Sequence, residues 1–199
     1  MGAQPVSRIS RRFGPSALLT PANLVTTLRF ALTIPLLRVI VADGVSWRAT
    51  VGWVMLACTD GLDGWLARRD GTTRSGAFLD PLADKFLAIG GLSALAAQGI
   101  FPWLAVGLIT AREVGVSAYR TAAGRRGISL PARQLGKMKT VFQLTAVGVA
   151  LCPSTAELGG LAVSILWVAV ALTVVSGLDI MVAAQRAGRP MTRDPAREV

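Results

Sequence analysis

Two neighbouring apolar segments of the chain carry four aspartates at a regular spacing. They read Asp60-Gly-Leu-Asp63-Gly64-Trp-Leu-Ala67-Arg68 and, after a short basic loop, Gly76-Ala-Phe-Leu-Asp80-Pro-Leu-Ala-Asp84. Spacings of three and four residues place the two aspartates of each segment on one face of a helix. The flanking residues are apolar enough for membrane helices, where one carboxylate costs about 2.5–3.5 kcal/mol. Four carboxylates in such helices predict a compensating cation.

The two segments are predicted to form an antiparallel helical hairpin around a loop centred on Thr72. Asp63 and Asp80 lie nine and eight residues from that centre, and Asp60 and Asp84 each lie twelve residues from it. The two pairs are therefore expected at a similar depth in the membrane. Four converging carboxylates suit two divalent ions about 3.5–4 Å apart. The chain has no histidine and only two cysteines, so oxygen must supply the ligands, as Mg²⁺ or Mn²⁺ prefers. Capping by Asp80 before Pro81 would explain one aspartate but not four.

The composition of the chain indicates a membrane protein. Of its 199 residues, 52% are hydrophobic, and the mean hydropathy of +0.54 exceeds that of ordinary soluble domains. Six apolar runs cover 22–42, 47–67, 77–98, 102–121, 138–152 and 158–184. A membrane span needs ~20 residues, and the fifth run is short for one unless it extends into the segment 134–139. We therefore predict an all-α integral membrane protein with six transmembrane helices in one domain, 21–186. A basic juxtamembrane segment, 1–20, precedes it and a polar tail, 187–199, follows it.

The distribution of charge predicts the orientation. The formal net charge is +10, and the basic residues gather in the N-terminus, the 68–75 loop, the 120–139 segment and the C-terminus. Turns on the other side, at Gly44, 99–102 and Cys152-Pro153, carry few cations. Basic loops stay in the cytoplasm, so we expect a multi-pass protein of the plasma membrane. Both termini and a polar catalytic cavity should face the cytoplasm.

The aspartate pattern, D-x2-D-G-x2-A-R followed by G-x3-D-x3-D, resembles the signature of the CDP-alcohol phosphotransferase (phosphatidyltransferase) family. These integral membrane enzymes displace CMP from a CDP-activated lipid with an alcohol. The segment 21–29 is similar to the opening helix of the family, and the segments 78–85, 110–120 and 136–140 resemble the phosphatidylglycerophosphate synthase branch in particular. The resemblance therefore spans about residues 20–145. The loop 69–75 is one residue shorter than the family pattern.

The resemblance implies a reaction and a role for each motif residue. Asp60, Asp63 and Asp80 would hold two Mg²⁺ or Mn²⁺ ions, while Asp84 would act as the general base and as a further metal ligand. The donor would be CDP-diacylglycerol and the acceptor sn-glycerol 3-phosphate. Donor contacts would come from Asn23, Thr26, Gly64, Arg68 and Thr73. For Arg68, a cation that snorkels at a helix end is the alternative interpretation. The family also implies a homodimer.

A phosphorylated acceptor needs cations, and basic residues cluster near the predicted cytoplasmic ends of the fourth and fifth helices. Arg112 and Arg120 are eight residues apart and so lie close to one face. The candidate acceptor-phosphate ligands are Arg112, Arg120, Lys137 and Lys139. Glu113 either orients Arg112 or caps the cluster, and Arg29 is predicted to face the polar cavity. The remaining arginines of this segment suit anionic lipid headgroups, and no nucleic acid is expected as a partner.

Other functions are compatible with parts of the pattern. A sibling transferase could use inositol phosphate, or phosphatidylglycerol as a cardiolipin synthase does, and the basic cluster alone does not separate these acceptors. A divalent-cation transporter would also use carboxylates in membrane helices. Such a pathway should carry acidic groups across the full depth of the membrane, whereas here they gather beside cations on one side. A purely structural scaffold would not retain so many charges.

Overall fold

The computed structural model describes the backbone of residues 21–70, 74–125, 134–158 and 160–187, and the side chains of 23–59, 81–124, 136–158 and 160–180. Six α-helices occur in these residues: α1 (Pro21–Asp43), α2 (Trp47–Asp70), α3 (Arg74–Ala97), α4 (Trp103–Arg125), α5 (Gln134–Leu151) and α6 (Leu161–Ala187). A short 3-10 helix, Pro153–Thr155, precedes α6, and the described part contains no strand. The all-helical fold is as predicted, and each apolar run coincides with one helix. The N-terminal segment 1–20 and the tail beyond residue 187 lie outside the described residues.

Two glycines end helices at one end of the bundle. Gly44 follows α1 with a φ of 62°, and its N–H donates to Ile40 O at 3.0 Å. Gly99 follows α3 with a φ of 75°. A left-handed residue directly after a helix is a common stop signal, and glycine adopts that conformation without a steric penalty. At the same end, Ser46 N–H donates to Leu151 O at 3.1 Å, which ties the start of α2 to the end of α5.

The apolar core lies between this end and the middle of the bundle. Trp53 of α2 is 1% exposed, and its indole N–H donates to Leu144 O of α5 at 3.0 Å. On α3, Gly91 provides the space for the ring, since a Cβ there would fall 2.4 Å from Trp53 Cζ3. A tryptophan buried with its N–H satisfied contributes a large apolar area and orients its neighbours. Trp53 therefore holds α2, α3 and α5 together.

The opposite end of the bundle is polar inside. Because successive helices run in opposite directions, it collects the N-terminal halves of α1, α3 and α5 and the C-terminal halves of α4 and α6. Most of the buried polar side chains lie in these halves or near the middle of the helices: Asn23, Thr26, Arg29, Lys139, Gln143, Thr173 and Ser176. Buried polar groups require partners, and in apolar helices they mark functional sites.

Two helices of the described part are long and apolar enough to cross a membrane, through Asn23–Asp43 of α1 and Leu161–Ile180 of α6. In each of these spans, only 28% of the most apolar 18-residue stretch is buried inside the protein. Large apolar side chains are exposed along both, among them Leu24, Leu28, Val168 and Leu178. The core helix of a soluble protein buries most of its apolar surface, whereas these two helices present theirs outward, as a lipid-facing helix does.

Candidate active site

Arg29 and Asp84 form an ion pair that joins α1 to α3. Arg29 Nη1 donates a hydrogen bond to Asp84 Oδ1 at 2.5 Å. The Arg29 side chain is 1% exposed, whereas 36% of the Asp84 side chain remains accessible. Asp84 also lines a polar cavity. A buried guanidinium thus orients a carboxylate that can still meet a ligand. Arg29 points into the bundle rather than to lipid, as predicted, but it contacts Asp84 and does not line the cavity itself.

This cavity, of about 310 Å³, lies between α3, α4 and α5. Two carboxylates, Asp84 and Glu113, line it together with five basic side chains, Lys85, Arg112, Arg120, Lys137 and Lys139. Five cations against two anions leave an excess of three positive charges. A concave site with a positive excess attracts anions. The structure therefore brings all four of the predicted acceptor-phosphate ligands to one place, beside Asp84.

Glu113 connects two of these cations. Its Oε1 accepts a hydrogen bond from Arg112 Nη1 at 3.3 Å and forms an ion pair with Lys139 Nζ. All three side chains are largely buried, at 12% exposed for Arg112, 13% for Glu113 and 5% for Lys139. Buried charges are tolerated when they are paired. One carboxylate thus holds a cation of α4 beside a cation of α5.

Helix α6 contacts the same cluster from the side away from the cavity. Arg112 Nη2 donates to Ser176 Oγ at 2.8 Å, and Ser176 Oγ donates to Thr173 O at 3.1 Å. Gln143, which lines the cavity from α5, donates through Nε2 to Thr173 Oγ1 at 3.2 Å. Gly177 of α6 faces the stem of the Arg112 side chain, since a Cβ there would lie 3.4 Å from Arg112 Cγ. The polar face of α6 therefore fixes the wall of the cavity without lining it.

The other three cations are held more loosely. Arg120 and Lys137 are exposed, and neither makes a hydrogen bond or ion pair with another described residue. Lys85 Nζ donates to Pro81 O at 3.2 Å, which is an exposed contact within its own helix. Their charged groups are available to a bound anion, whereas Arg112 and Lys139 already have protein partners.

Asn23 and Thr26, the predicted donor-lipid contacts on α1, are 2% and 1% exposed. Thr26 lines a smaller cavity of about 120 Å³, where α1 meets Leu82 and Ala83 of α3. These two α3 residues directly precede Asp84 in the sequence. The structure thus places the polar start of α1 next to the segment of α3 that carries the predicted base.

Comparison with known proteins identifies the family. Residues 19–175 match the family described as CDP-alcohol phosphatidyltransferase. The chain belongs to this family. A "Probable phosphatidylglycerophosphate synthase" from Mycobacterium tuberculosis is 37% identical over 179 residues, which cover 87% of this chain and 85% of that protein. A "CDP-diacylglycerol--glycerol-3-phosphate 3-phosphatidyltransferase" from Bacillus subtilis is 35% identical over 176 residues, 79% of this chain and 91% of that protein.

A "CDP-diacylglycerol--glycerol-3-phosphate 3-phosphatidyltransferase" from Salmonella choleraesuis is 34% identical over 173 residues, which cover 82% of this chain and 93% of that protein. The family predicted from the aspartate pattern is thereby confirmed. Membership of the CDP-alcohol phosphatidyltransferase family and two outward-facing apolar helices together identify a membrane protein. The branch predicted from the 110–120 and 136–140 segments agrees with the names of these relatives.

Part of the CDP-alcohol phosphatidyltransferase signature lies outside the described side chains. The backbone is helical at 60–70 and 74–80, which places Asp60, Asp63, Gly64 and Arg68 on α2 and Asp80 on α3. Their side chains, and the whole of Thr73, lie outside the described residues. Among the described residues alone, no three acidic or cysteine side chains group as metal ligands. The metal assignments of these aspartates therefore stay predictions.

Lys85 lines the cavity as well, although its position in the sequence predicted no role for it. A signal was present, because Lys85 follows Asp84 directly and stands one helical turn before Ala88 and Ile89, which line the same cavity. The two interpretations of Glu113 are also resolved in part. It contacts Arg112 and a second cation, Lys139, on another helix, and only the packing of α4 against α5 brings that second partner within reach.

Proposed function

We propose that this family member transfers the phosphatidyl group of CDP-diacylglycerol to sn-glycerol 3-phosphate, giving phosphatidylglycerophosphate and CMP. The observation that carries the proposal is the cavity that combines Asp84 with five cations. A phosphorylated acceptor needs such cations, and its hydroxyl needs a base close by. The names of the similar proteins from Bacillus subtilis and Salmonella choleraesuis support the same donor and acceptor.

Asp84 is the proposed general base. It accepts the proton of the primary hydroxyl of glycerol 3-phosphate as that oxygen attacks the β-phosphorus of CDP-diacylglycerol. A phosphorus–oxygen bond to glycerol forms, and the phosphorus–oxygen bond to CMP breaks. Arg29 holds the carboxylate in place through Oδ1. The chain has no histidine to take this proton, so a carboxylate is the natural candidate.

Two Mg²⁺ or Mn²⁺ ions are the proposed cofactors. Asp60, Asp63 and Asp80 would hold them with Asp84 as a further ligand, because hard divalent ions prefer carboxylate oxygen. Asp84, whose side chain is described, fits the role as an oxygen donor that stays 36% exposed. When bound, such ions neutralise phosphate oxygens and stabilise the departing nucleotide. Asn23, Thr26, Gly64, Arg68 and Thr73 are the proposed contacts to the donor.

The proposed acceptor ligands are Arg112, Arg120, Lys137 and Lys139, and Lys85 joins them on the evidence of the cavity. All five act on the phosphate of glycerol 3-phosphate by charge and by hydrogen bonding. The positive excess also disfavours a cation transporter, since it would repel a divalent ion entering from this side.

The proposed arrangement in the plasma membrane has six spans with both termini and the cavity on the cytoplasmic side. The gathering of cations at one end of the bundle supports it, because basic segments are retained in the cytoplasm. Reporter fusions at the two termini test it: cytoplasmic reporters should be active at both ends, and an exported terminus would contradict the topology. A homodimer is proposed as well, and chemical cross-linking in native membranes should give a species of twice the chain mass.

Assay of the purified chain in detergent tests the reaction. With CDP-diacylglycerol, labelled glycerol 3-phosphate and Mg²⁺ or Mn²⁺, we expect CMP release and labelled lipid, and chelation by EDTA should stop both. Parallel reactions contain inositol phosphate, phosphatidylglycerol or serine. Turnover with one of these acceptors but not with glycerol 3-phosphate would assign the chain to a sibling activity. CMP release with none of them would overturn the proposal.

A further inference from the structure

We propose that Glu113 and Ser176 are positioning residues that set the affinity for the acceptor phosphate by holding the guanidinium of Arg112 in one orientation. The two residues contact the two terminal nitrogens of the same group. Glu113 accepts from Nη1 and Ser176 accepts from Nη2. This assignment rests on the proposed function, because it concerns the site at which glycerol 3-phosphate would bind.

The Ser176 contact is informative because Ser176 does not line the cavity. It is 3% exposed on α6, and the cavity walls come from α3, α4 and α5. Its hydroxyl hydrogen is directed to Thr173 O, which leaves an oxygen lone pair for Arg112. Arg112 is therefore the group through which Ser176 most directly reaches a bound phosphate.

Glu113 also reduces the repulsion between two neighbouring cations. Arg112 and Lys139 repel each other, and Glu113 lies between them with one oxygen contacting both. The Lys139 side chain is 5% exposed, so its ammonium holds Glu113 in place as well as adding positive charge to the cavity. Arg120 and Lys137, which have no such tie among the described residues, adapt to the ligand instead.

A guanidinium held through both terminal nitrogens already has the orientation that it needs to bind an anion. Arginine presents its N–H groups in a planar fork, and fixing that plane in advance removes an ordering cost from binding. Loss of either tether should therefore weaken acceptor binding while leaving the donor and the chemical step largely unchanged.

Steady-state kinetics of Ser176→Ala test this assignment. We expect the KM for glycerol 3-phosphate to rise about tenfold, as for the loss of one hydrogen bond to a charged group, with kcat and the KM for CDP-diacylglycerol changed less than about twofold. Ser176→Thr keeps the hydroxyl and should restore the KM. Ser164→Ala, at an exposed position on the same helix, is the matched control and should behave as the unaltered chain. An unchanged KM in Ser176→Ala would overturn the assignment.

A double-mutant cycle identifies the route of the effect. Arg112→Lys removes the fork, so Ser176→Ala should add nothing to the KM in that background; additive effects would show that Ser176 acts elsewhere. Glu113→Ala should raise the same KM. A fall in KM would instead show that Glu113 only offsets positive charge, and would refute its positioning role. If the unaltered chain does not use glycerol 3-phosphate at all, the proposed function itself is wrong. That result is distinct from normal turnover with a KM that Ser176→Ala leaves unchanged, which would overturn only the positioning role.

Discussion

Arg29 on α1 and Asp84 on α3 are 55 residues apart in the sequence, yet Arg29 Nη1 lies 2.5 Å from Asp84 Oδ1. The arginine is buried and the carboxylate opens to a cavity rich in cations. This geometry holds the proposed base by one oxygen and leaves the group accessible to substrate. The pair therefore links the stability of the α1–α3 contact to the chemistry of the site.

Replacing Arg29 by glutamine should lower kcat by about 10- to 100-fold, because a misoriented base loses much of its contribution to proton transfer. The KM for glycerol 3-phosphate should change little. Arg38→Gln is the matched control, since Arg38 is exposed on the same helix. Equal kcat values for the two variants would show that the ion pair has no part in turnover. Thermal melting separates this effect from loss of folding.

Asp84→Asn removes the proposed base while keeping the size of the side chain. Turnover should fall on the order of 10²–10⁴-fold, the usual contribution of a general base, while binding of CDP measured by calorimetry should be largely retained. Asp43→Asn, at the opposite end of α1 on an exposed position, should leave turnover intact. Substantial activity in Asp84→Asn would refute the assignment of the base.

Lys85→Gln should raise the KM for glycerol 3-phosphate about 3- to 10-fold, because one of five cations lining the cavity is lost from a half-buried position. The increase should shrink as salt is added, since ions screen accessible charges. Arg48→Gln, exposed at the far end of α2, provides the control for a change in net charge alone. If the KM for glycerol 3-phosphate rises equally in both variants, Lys85 acts through the net charge of the protein and not through a binding site for the phosphate.

Gly91→Ala should destabilise the protein by about 1–3 kcal/mol, the usual effect of overpacking a core. The added Cβ would lie 2.4 Å from the buried Trp53 ring, so the ring or a helix must move. Gly107→Ala is the matched control in α4, where nothing lies within 4 Å of the added atom, and alanine favours the helix. Melting temperatures in the same detergent compare the two, and similar values would contradict the packing at Trp53.

Much of the helix pattern was predictable because it depends on local chemistry. Continuous apolar runs of about 20 residues form helices in apolar surroundings, and Gly44 and Gly99 end two of them by adopting a conformation that other residues avoid. The clustering of Arg112, Arg120, Lys137 and Lys139 was also foreseeable, because helical spacing and alternating helix direction bring these residues to one end.

Other features depend on distances between helices and could not be read from spacing. Gly91 and Gly107 look alike in the sequence, yet only Gly91 faces a large side chain. Glu113 has an arginine beside it in the chain, but its second cation comes from α5. Ser176 lies in an apolar helix without any motif, and its role emerges only where α6 meets α4.

The sequence by itself determined the family, the helices, the carboxylate pattern and the charge of one end of the bundle, because these follow from residue types and helical periodicity. Only the tertiary structure decided which cation holds Asp84, which residues tether Arg112 and that Lys85 faces the same cavity. Those outcomes depend on the rotation and closeness of packed helices. Many weak side-chain contacts between distant segments set both, so no local stretch of sequence specifies them.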